Sequence, residues 1–570
     1  MSQEEKQVQW VIREAPKGWE NLVPEGMPQI LGRLLSQRGI QHEEVERFLR
    51  PRLAELTDPF EIPEVDLAVD RILRAVDQKE RVCIYGDYDV DGVSSIAVLR
   101  TTLEAYGLKP YSFIPRRSSE GYGLSKGGLE RCLTECGKPD LMISVDCGTV
   151  SNDAIAMLKS KGVETVVVDH HEMGPDGRPD CVALVNPKAA RDPREYLCAA
   201  GVVFKLAHAL LKQRPLEGFD LKSVLDLVAV ATISDIVPLV DENRLLVRHG
   251  LRKLENSVRP GLRALIKLTG TEGRLSSADI GFRIGPRLNA AGRMDQPEQA
   301  LATLMTGCSN EALDLADELE NFNRNRQKLE QAIFAEAMAM LKESTNDPVI
   351  VVGSRAWHAG VVGIVASRLM RMYHKPVFVI SIDENGIGKG SGRSISGISL
   401  VEAIGSCREH LIAGGGHHMA AGLSIHEDSI DAFRESFVKF VNETCGEKDL
   451  AAKVHVDAEV ELAELSLDFL ASYELLQPFG SSNPQPIFLA RNVWLTEPPR
   501  RLKNNHLRLF LRQRYDERDA IFFGGGANEL PDPPWDIAFT VDRNVFRGRV
   551  SVQISIQNVR PAAGNGNESD

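Results

Sequence analysis

The chain has 570 residues, 43% of them hydrophobic and 26% charged, with a formal net charge of −13. That balance is ordinary for a globular protein, and the length predicts several domains, each with its own core. It argues against nonspecific adhesion of the whole molecule to nucleic acid, and no apolar run reaches the roughly 18 residues of a membrane span. The start, Met1-Ser2-Gln3-Glu4-Glu5-Lys6, lacks the basic and apolar parts of a signal peptide, so a cytoplasmic protein without membrane association is expected. The nine cysteines are odd in number and form no C-x-x-C, and Cys83, Cys147 and Cys198 lie in apolar runs. Buried free thiols are therefore expected. Cys132 and Cys136, four apart on a predicted helix, are not read as a zinc site.

Residues 1–58 form a mixed N-terminal segment with one predicted helix, Gln29–Arg38. From about 59 to 265, short apolar runs alternate with segments taken as amphipathic helices, Ser94–Tyr106 and Ser151–Lys161. That alternation predicts βαβ units and a mostly parallel sheet. In this lobe carboxylates and histidines stand where predicted strands run out. Asp87, Asp89 and Asp91 follow Val82-Cys83-Ile84-Tyr85, Asp146 follows Leu141–Val145, and Asp169-His170-His171 follows Val166–Val168. Asp235 closes a run from Leu227 to Ser234, also read as a strand. Ligands of open α/β sheets bind at the carboxyl edge of the strands, and carboxylates forced together repel unless cations neutralise them. The pattern predicts a metal site, for two ions. Asp87-Tyr-Asp-Val-Asp-Gly92 opens like a calcium-binding loop, but Val98 stands where that loop needs a bidentate Glu. Imidazole mixed with carboxylate suits manganese, zinc or iron better than calcium. Asp169 is placed to orient a histidine. Two divalent ions in such a site support in-line displacement at phosphorus, and no nucleotide-binding P-loop is present, so phosphate-ester hydrolysis is the expected reaction class.

A helical connector is expected over 266–345, with a long helix joining two lobes. A second α/β lobe follows over 346–452, opening with Pro348–Val352 and Pro376–Ile380. Its Gly388-Lys-Gly-Ser391-Gly-Arg393-Ser394 gathers backbone donors, hydroxyls and a guanidinium. Pro115-Arg116-Arg117 precedes Gly121-Tyr122-Gly123, and Gly414-Gly-Gly-His417-His418 forms a further glycine-rich cluster. Each can cradle phosphate, and each is also compatible with an ordinary glycine-rich turn. From 453 to 562 the texture changes to period-two alternation, which predicts a small β-barrel. In His506–Arg512, Leu507, Leu509 and Leu511 point inward, so Arg508, Phe510 and Arg512 face out. Basic and aromatic residues interleaved on a barrel face suit single-stranded nucleic acid. Residues 491–560 carry 12 Lys/Arg against 8 Asp/Glu, so the C-terminal part is the basic one. Residues 563–570 are expected to be a disordered tail.

Taken together, these motifs resemble the DHH phosphoesterase superfamily, and within it the RecJ-type single-strand exonucleases, over nearly the whole chain. Gly86-Asp-Tyr-Asp-Val-Asp-Gly92, Val145-Asp-Cys-Gly148, Asp169-His-His171 and Ser234-Asp-Ile-Val-Pro-Leu239 resemble the four catalytic motifs. Arg283-Ile-Gly-Pro-Arg287-Leu-Asn-Ala-Ala-Gly-Arg293 resembles a family-specific run, and Trp357–Arg368, Gly390–Ser394 and Gly415-Gly-His417 resemble the DHH-associated domain. Ser482 and Gly414 depart from the pattern in two loops.

The resemblance implies two α/β lobes, a DHH domain and a DHH-associated domain, joined by a long helix and followed by an OB-fold barrel. It implies 5′-to-3′ hydrolysis of single-stranded DNA to 5′-mononucleotides with manganese or magnesium, in DNA repair and recombination. On this reading Asp87, Asp89, Asp146, His170 and Asp235 ligate two cations. His171 faces the scissile phosphate and assists the leaving group, with Asp91 a less secure catalytic member. Arg117, Ser391 and Arg393 hold the 5′-phosphate. Arg287, His417, Arg508, Phe510 and Arg512 are further candidate strand contacts. A helicase and a single-strand-binding protein are the implied partners, with the chain itself a monomer. A superfamily phosphodiesterase acting on nano-RNA or cyclic dinucleotides, or a non-catalytic single-strand-binding subunit, are the alternatives.

Overall fold

The computed structural model describes residues 8–271, 273–341, 347–444, 453–527, 529–546 and 548–562. The expected tail at 563–570 and the proposed boundaries at 345/346 and 452/453 fall wholly or partly outside them.

A two-stranded piece opens the chain. Strand β1 (Gln9–Ile12) pairs in parallel with β12 (Lys453–Val456), and the Gln29–Ser36 helix puts Leu31, Leu34 and Leu35 into the core of the C-terminal barrel. The early part of the N-terminal segment thus packs on the last domain.

The first lobe holds a five-stranded parallel sheet of β2 (Val82–Gly86), β3 (Tyr111–Phe113), β4 (Leu141–Val145), β5 (Glu164–Val168) and β6 (Ala183–Val185), in spatial order β3-β2-β4-β5-β6. Every residue of β2 and β4 is buried, as expected of strands covered on both faces by helices. The chain leaves β2 toward β3 on one side and returns on the other side to β4. The topological switch point therefore lies between β2 and β4, the two strands that end in Asp87 and Asp146. An open α/β sheet forms its ligand crevice at that point.

Two sequence expectations are corrected here. The run before Asp235 is the Leu225–Ser234 helix. An apolar run of that length reads equally as a buried strand or a buried helix, and a helix apolar all round is a core helix. The segment expected as an amphipathic helix over 94–106 is the Val90–Ala105 helix. It is buried over most of its length between the sheet and the Ala199–Gln213 and Leu225–Ser234 helices.

The expected long joining helix is Ser309–Leu341. Pro297–Met305 and Ser309–Leu341 are separate helices, the second 33 residues long. The second lobe is a mixed sheet of β7 (Ile350–Ser354), β8 (Val377–Ile382), β9 (Ile387–Arg393), β10 (Ala413–Gly416) and β11 (Ala420–His426), in order β10-β11-β9-β8-β7, with only β7 and β8 parallel. The last domain comprises β13 (Ala458–Glu459), β14 (Phe488–Leu495), β15 (Arg500–Arg501), β16 (Leu507–Gln513), β17 (Asp516–Phe522), β18 (Trp535–Phe546) and β19 (Arg549–Pro561). A β14–β16 pairing closes five of these seven strands into a barrel. Leu507, Leu509 and Leu511 point into its core, as the alternation predicts.

The barrel is locked to the first lobe by buried arginines. Arg244 donates to the carbonyls of Phe48, Leu475 and Leu476, and Arg248 to those of Leu475 and Gln477. These bonds fix the 475–485 loop over the edge of the first lobe.

Candidate active site

The acidic motif after β2 splits into three different roles. Asp89 caps the Val90–Ala105 helix: its Oδ1 accepts from the backbone N–H groups of Asp91 (2.9 Å) and Gly92 (3.2 Å), leaving the other oxygen for a ligand. Asp91, one residue into the helix, turns inward. Its two oxygens accept from Ala199 (2.7 Å) and Ala200 (2.9 Å), the start of another helix. That helix end favours the negative charge. Gly92 lets this turn sit on the strand end, because a Cβ there would lie 2.4 Å from the Asp87 carbonyl oxygen.

Asp146 takes a left-handed backbone conformation (φ 59°) directly after β4, a posture that costs a non-glycine residue energy. Its carbonyl lies 3.2 Å from the Tyr122 hydroxyl. The Asp169 carboxylate is spent on order. It accepts from the N–H groups of Thr149, His170 and His171, and from His171 Nδ1 at 2.7 Å. These bonds outweigh its burial and hold it below the ordinary carboxylate range. They also fix His171 with Nε2 outward, 2.9 Å from the Tyr122 hydroxyl.

His170 Nε2 stands 3.3 Å from Asp146 and 3.7 Å from both Asp91 and Asp235. Those are ion-pair distances, yet burial and the neighbouring His171 push the His170 pKa down to about 3. A neutral imidazole therefore stands among three carboxylates with no positive charge to balance them. Asp87, Asp89 and Asp146 make a second group whose oxygens lie within 4.8 Å of one another. Burial first, and mutual repulsion next, raise the pKa of Asp87, Asp146 and Asp235 well above the usual range and that of Asp91 to about 7. Asp235 Oδ2 is out of solvent and has no hydrogen-bond donor among the described residues. Cations resolve each of these conflicts at once; the carboxylates suit manganese or magnesium, and the imidazole favours manganese of the two. The residues present fit the implied group.

A cleft of about 760 Å³ opens beside this cluster, lined by all three domains. Arg117 from the first lobe, Arg293 from the connector, and Ser391 and Arg393 from β9 line it together. Burial, then the proximity of Arg117 and other guanidinium groups, lowers Arg293 to about 10 and lowers Arg393 as well. Among the described residues none of these three arginines is paired with a carboxylate. Crowded, half-buried cations without counter-charge make a receptor for an anion. Arg117 is held over the Tyr88 ring at 5.2 Å, and Arg393 Nη1 donates to Ser391 Oγ at 3.2 Å. Gly292 permits the approach of the connector, since a Cβ there would lie 2.3 Å from the Tyr88 carbonyl oxygen.

Of the sequence-predicted residues, the structure brings together Asp87, Asp89, Asp91, Asp146, His170, His171 and Asp235, and sets Arg117, Ser391 and Arg393 along the cleft. It does not bring in the others. Arg287 pairs with Glu320 at 2.8 Å and donates to the Arg283 carbonyl. His417 lies exposed at the β10–β11 turn. Arg508 pairs with Asp519, and Phe510 lies between Arg500 and Arg508 beside a separate barrel cavity. Arg512 stands opposite Glu517 on β17. The barrel instead reaches the cleft through Gln477–Ser481, with Phe479. Arg293, Phe282 and Phe479 in the cleft, and Tyr122 beside His171, are the site residues that the sequence reading does not assign: Arg293 and Tyr122 lie within the motifs quoted above, Phe282 and Phe479 do not.

Comparison with known proteins agrees with this arrangement. Family models match as the DHH family N-terminal domain at residues 81–232, the DHHA1 domain at 346–443 and the RecJ OB domain at 456–558. The single-stranded-DNA-specific exonuclease RecJ of Bacillus subtilis is 37% identical over 93% of this chain and 67% of its own length. That of Escherichia coli is 31% identical over 95% and 97%. The manganese complex of RecJ from Thermus thermophilus superposes with a TM-score of 0.83 at 30% identity, covering 98% of this chain and 80% of that one. With an architecture, a catalytic lobe and a barrel that all match at this level, the chain belongs to the RecJ family of single-stranded-DNA-specific exonucleases.

Proposed function

We propose that this chain hydrolyses single-stranded DNA from its 5′ end to 5′-mononucleotides, using two divalent cations, manganese or magnesium. One observation carries the reading: three half-buried arginines, none paired with a carboxylate among the described residues, line the cleft beside a cation-demanding carboxylate cluster. A strand whose terminal phosphate rests on Arg117, Ser391 and Arg393 presents its next phosphodiester toward that cluster. The relatives' names, and the structures of Thermus thermophilus RecJ with manganese and with magnesium, support the substrate class and the cations.

Asp87, Asp89, Asp146, His170 and Asp235 would hold the ions, with Asp91 completing the acidic wall. Bound there, the ions would supply charge neutralisation at the phosphoryl group and activation of water. The chain's own residues do the rest. His171, tautomer fixed by Asp169 and pKa raised by that partner against the effect of burial, is poised to deliver a proton to the leaving oxygen. Tyr122, kept protonated by burial and by Asp146, Asp169 and Asp87, remains a donor beside it. The guanidinium groups position the strand. The domain division at 58, 265, 345, 452 and 562 is the working map of these roles, with the N-terminal segment supporting the barrel.

The family also supports a repair and recombination role, in the cytoplasm, as a monomer working with a helicase and a single-strand-binding protein. Among the described residues no helix is long and apolar enough to cross a membrane. The test is digestion of end-labelled strands of both polarities and both sugars with manganese. Loss of 5′-end release in Asp146→Ala and His170→Ala is expected. Undiminished activity in both, or equal turnover of long strands and dinucleotides, would overturn the reading.

A further inference from the structure

Behind the catalytic sheet lies a second cluster of metal-binding side chains that the nuclease reaction does not use. Cys83 is buried in β2, on the face opposite Ile84, and the Lys126–Cys136 helix packs across that face. Cys132, also buried, points from this helix to Cys83 with the two sulfurs 3.7 Å apart. Cys136, one turn further, brings a third sulfur, and all three lie within 4.8 Å of one another. Two cysteines four apart on a helix do not make a metal site; the strand cysteine opposite them, 49 residues earlier in the chain, changes that.

We propose that Cys83, Cys132 and Cys136 form a binding site for one thiophilic divalent cation, zinc or its homologue cadmium. Sulfurs sharing one such ion at about 2.3 Å stand about 3.8–4.0 Å apart, in tetrahedral or trigonal geometry. The spacing found here needs only small side-chain adjustments to reach that. The donor set is all sulfur, which selects soft ions and disfavours the hard manganese or magnesium of the carboxylate cluster. The site has an entrance, because Cys136 is only half-buried while the other two are covered. Positive groups stand nearby: Arg131 lies over the Phe113 ring at 4.2 Å, and Arg81 donates to the Cys136 carbonyl at 2.9 Å.

The position gives the site a consequence. Cys83 lies on the strand that ends in Asp87, and the helix bearing the other two sulfurs follows the Gly121-Tyr122-Gly123 loop. An ion there staples helix to strand behind the catalytic residues without touching substrate. It acts on the stability of that wall, not on the chemistry in front of it.

The test uses the full chain, stripped with chelator and then held in saturating magnesium so that the carboxylate cluster is occupied. Cadmium is titrated in, and the ultraviolet thiolate-to-cadmium charge-transfer band is followed. One equivalent per chain is expected, with the band weakened in Cys136→Ser and lost in Cys132→Ser. Because Cys132 is itself packed in the core, wild-type protection is read as well. At ten times the dissociation constant, zinc should slow modification of these thiols by a water-soluble maleimide about tenfold, since only the empty site reacts. Manganese-dependent exonuclease activity of Cys136→Ser should match wild type, whereas its thermal midpoint should no longer rise with zinc. No band, or an equal band in wild type and Cys132→Ser, overturns the proposal. So does peroxide converting Cys83 and Cys132 to a disulfide, with two thiols and one peroxide giving two waters, in a chain that binds no cadmium.

Discussion

Asp169 shows how one residue can be decisive without touching substrate. Its four hydrogen bonds orient both histidines, and one of them sets the His171 tautomer. Asp169→Asn keeps the volume but removes the charge, and is expected to lower activity or manganese affinity by about 10–100-fold. Steady-state rates against manganese concentration check this, and a wild-type profile would remove Asp169 from the site. The surrounding carboxylates make a pH prediction. Their pKa values in the cation-free fold are raised, that of Asp91 to about 7, against an unfolded value of about 3.9. A raised group binds more protons folded than unfolded. Its stabilisation is therefore complete below the unfolded value and is lost as pH rises through the folded one. The thermal midpoint of chelated enzyme, relative to chelated Asp91→Asn, should fall between about pH 4 and 7, and manganese should abolish that fall. Scanning calorimetry with and without manganese decides it.

At the scale of elements, the site is a matter of where strands stop and helices start. Asp87 and Asp146 end neighbouring strands, and the helix that follows Asp87 begins so abruptly that Asp89 is its cap and Asp91 already inside it. Gly92 makes that junction possible. Gly92→Ala forces a Cβ to within 2.4 Å of the Asp87 carbonyl oxygen, and backbone cannot swing aside as a long side chain can. It should cost about 1–3 kcal/mol of stability, as overpacking does, and shift Asp87 enough to depress activity. Urea unfolding together with a nuclease assay tests it; unchanged behaviour in both would mean the junction has slack. Strand ends were legible because βαβ alternation and terminal acids are local patterns. The Leu225–Ser234 helix was not, because the apolar run Leu227–Ala231 carries no period by which to tell a buried strand from a buried helix.

At the scale of the whole molecule, an acidic protein presents a cationic cleft to a polyanion. The net charge is −13, while the guanidinium groups facing the catalytic cluster come from the first lobe, the connector and the second lobe. Strand binding should weaken with salt, with a logarithmic slope of about 0.7 per phosphate contacted. Arg393→Ala should flatten that slope by about one contact and raise KM for 5′-phosphorylated strands more than it lowers kcat. Arg508→Ala, whose side chain pairs with Asp519 away from the cleft, should leave the slope of short strands unchanged. Fluorescence anisotropy across a salt series separates the two, and identical slopes would place the strand elsewhere.

By itself the sequence determined the two α/β lobes, the barrel with its inward leucines, the carboxylate and histidine cluster and the Ser391-Gly-Arg393 anion motif. Each is written in a short stretch whose spacing has direct chemical meaning. Only the tertiary structure decided which residues of three domains share one cleft. It replaced the barrel's outward Arg508 and Phe510 with the Phe479 loop, gave Arg287 to Glu320, and packed the N-terminal helix against the C-terminal barrel. It also set Cys83 against Cys132 and Cys136. The reason is the same in each case. Period and spacing report the faces of an element, but which face meets which follows from burying apolar surface between elements far apart in the chain, and no local pattern encodes that.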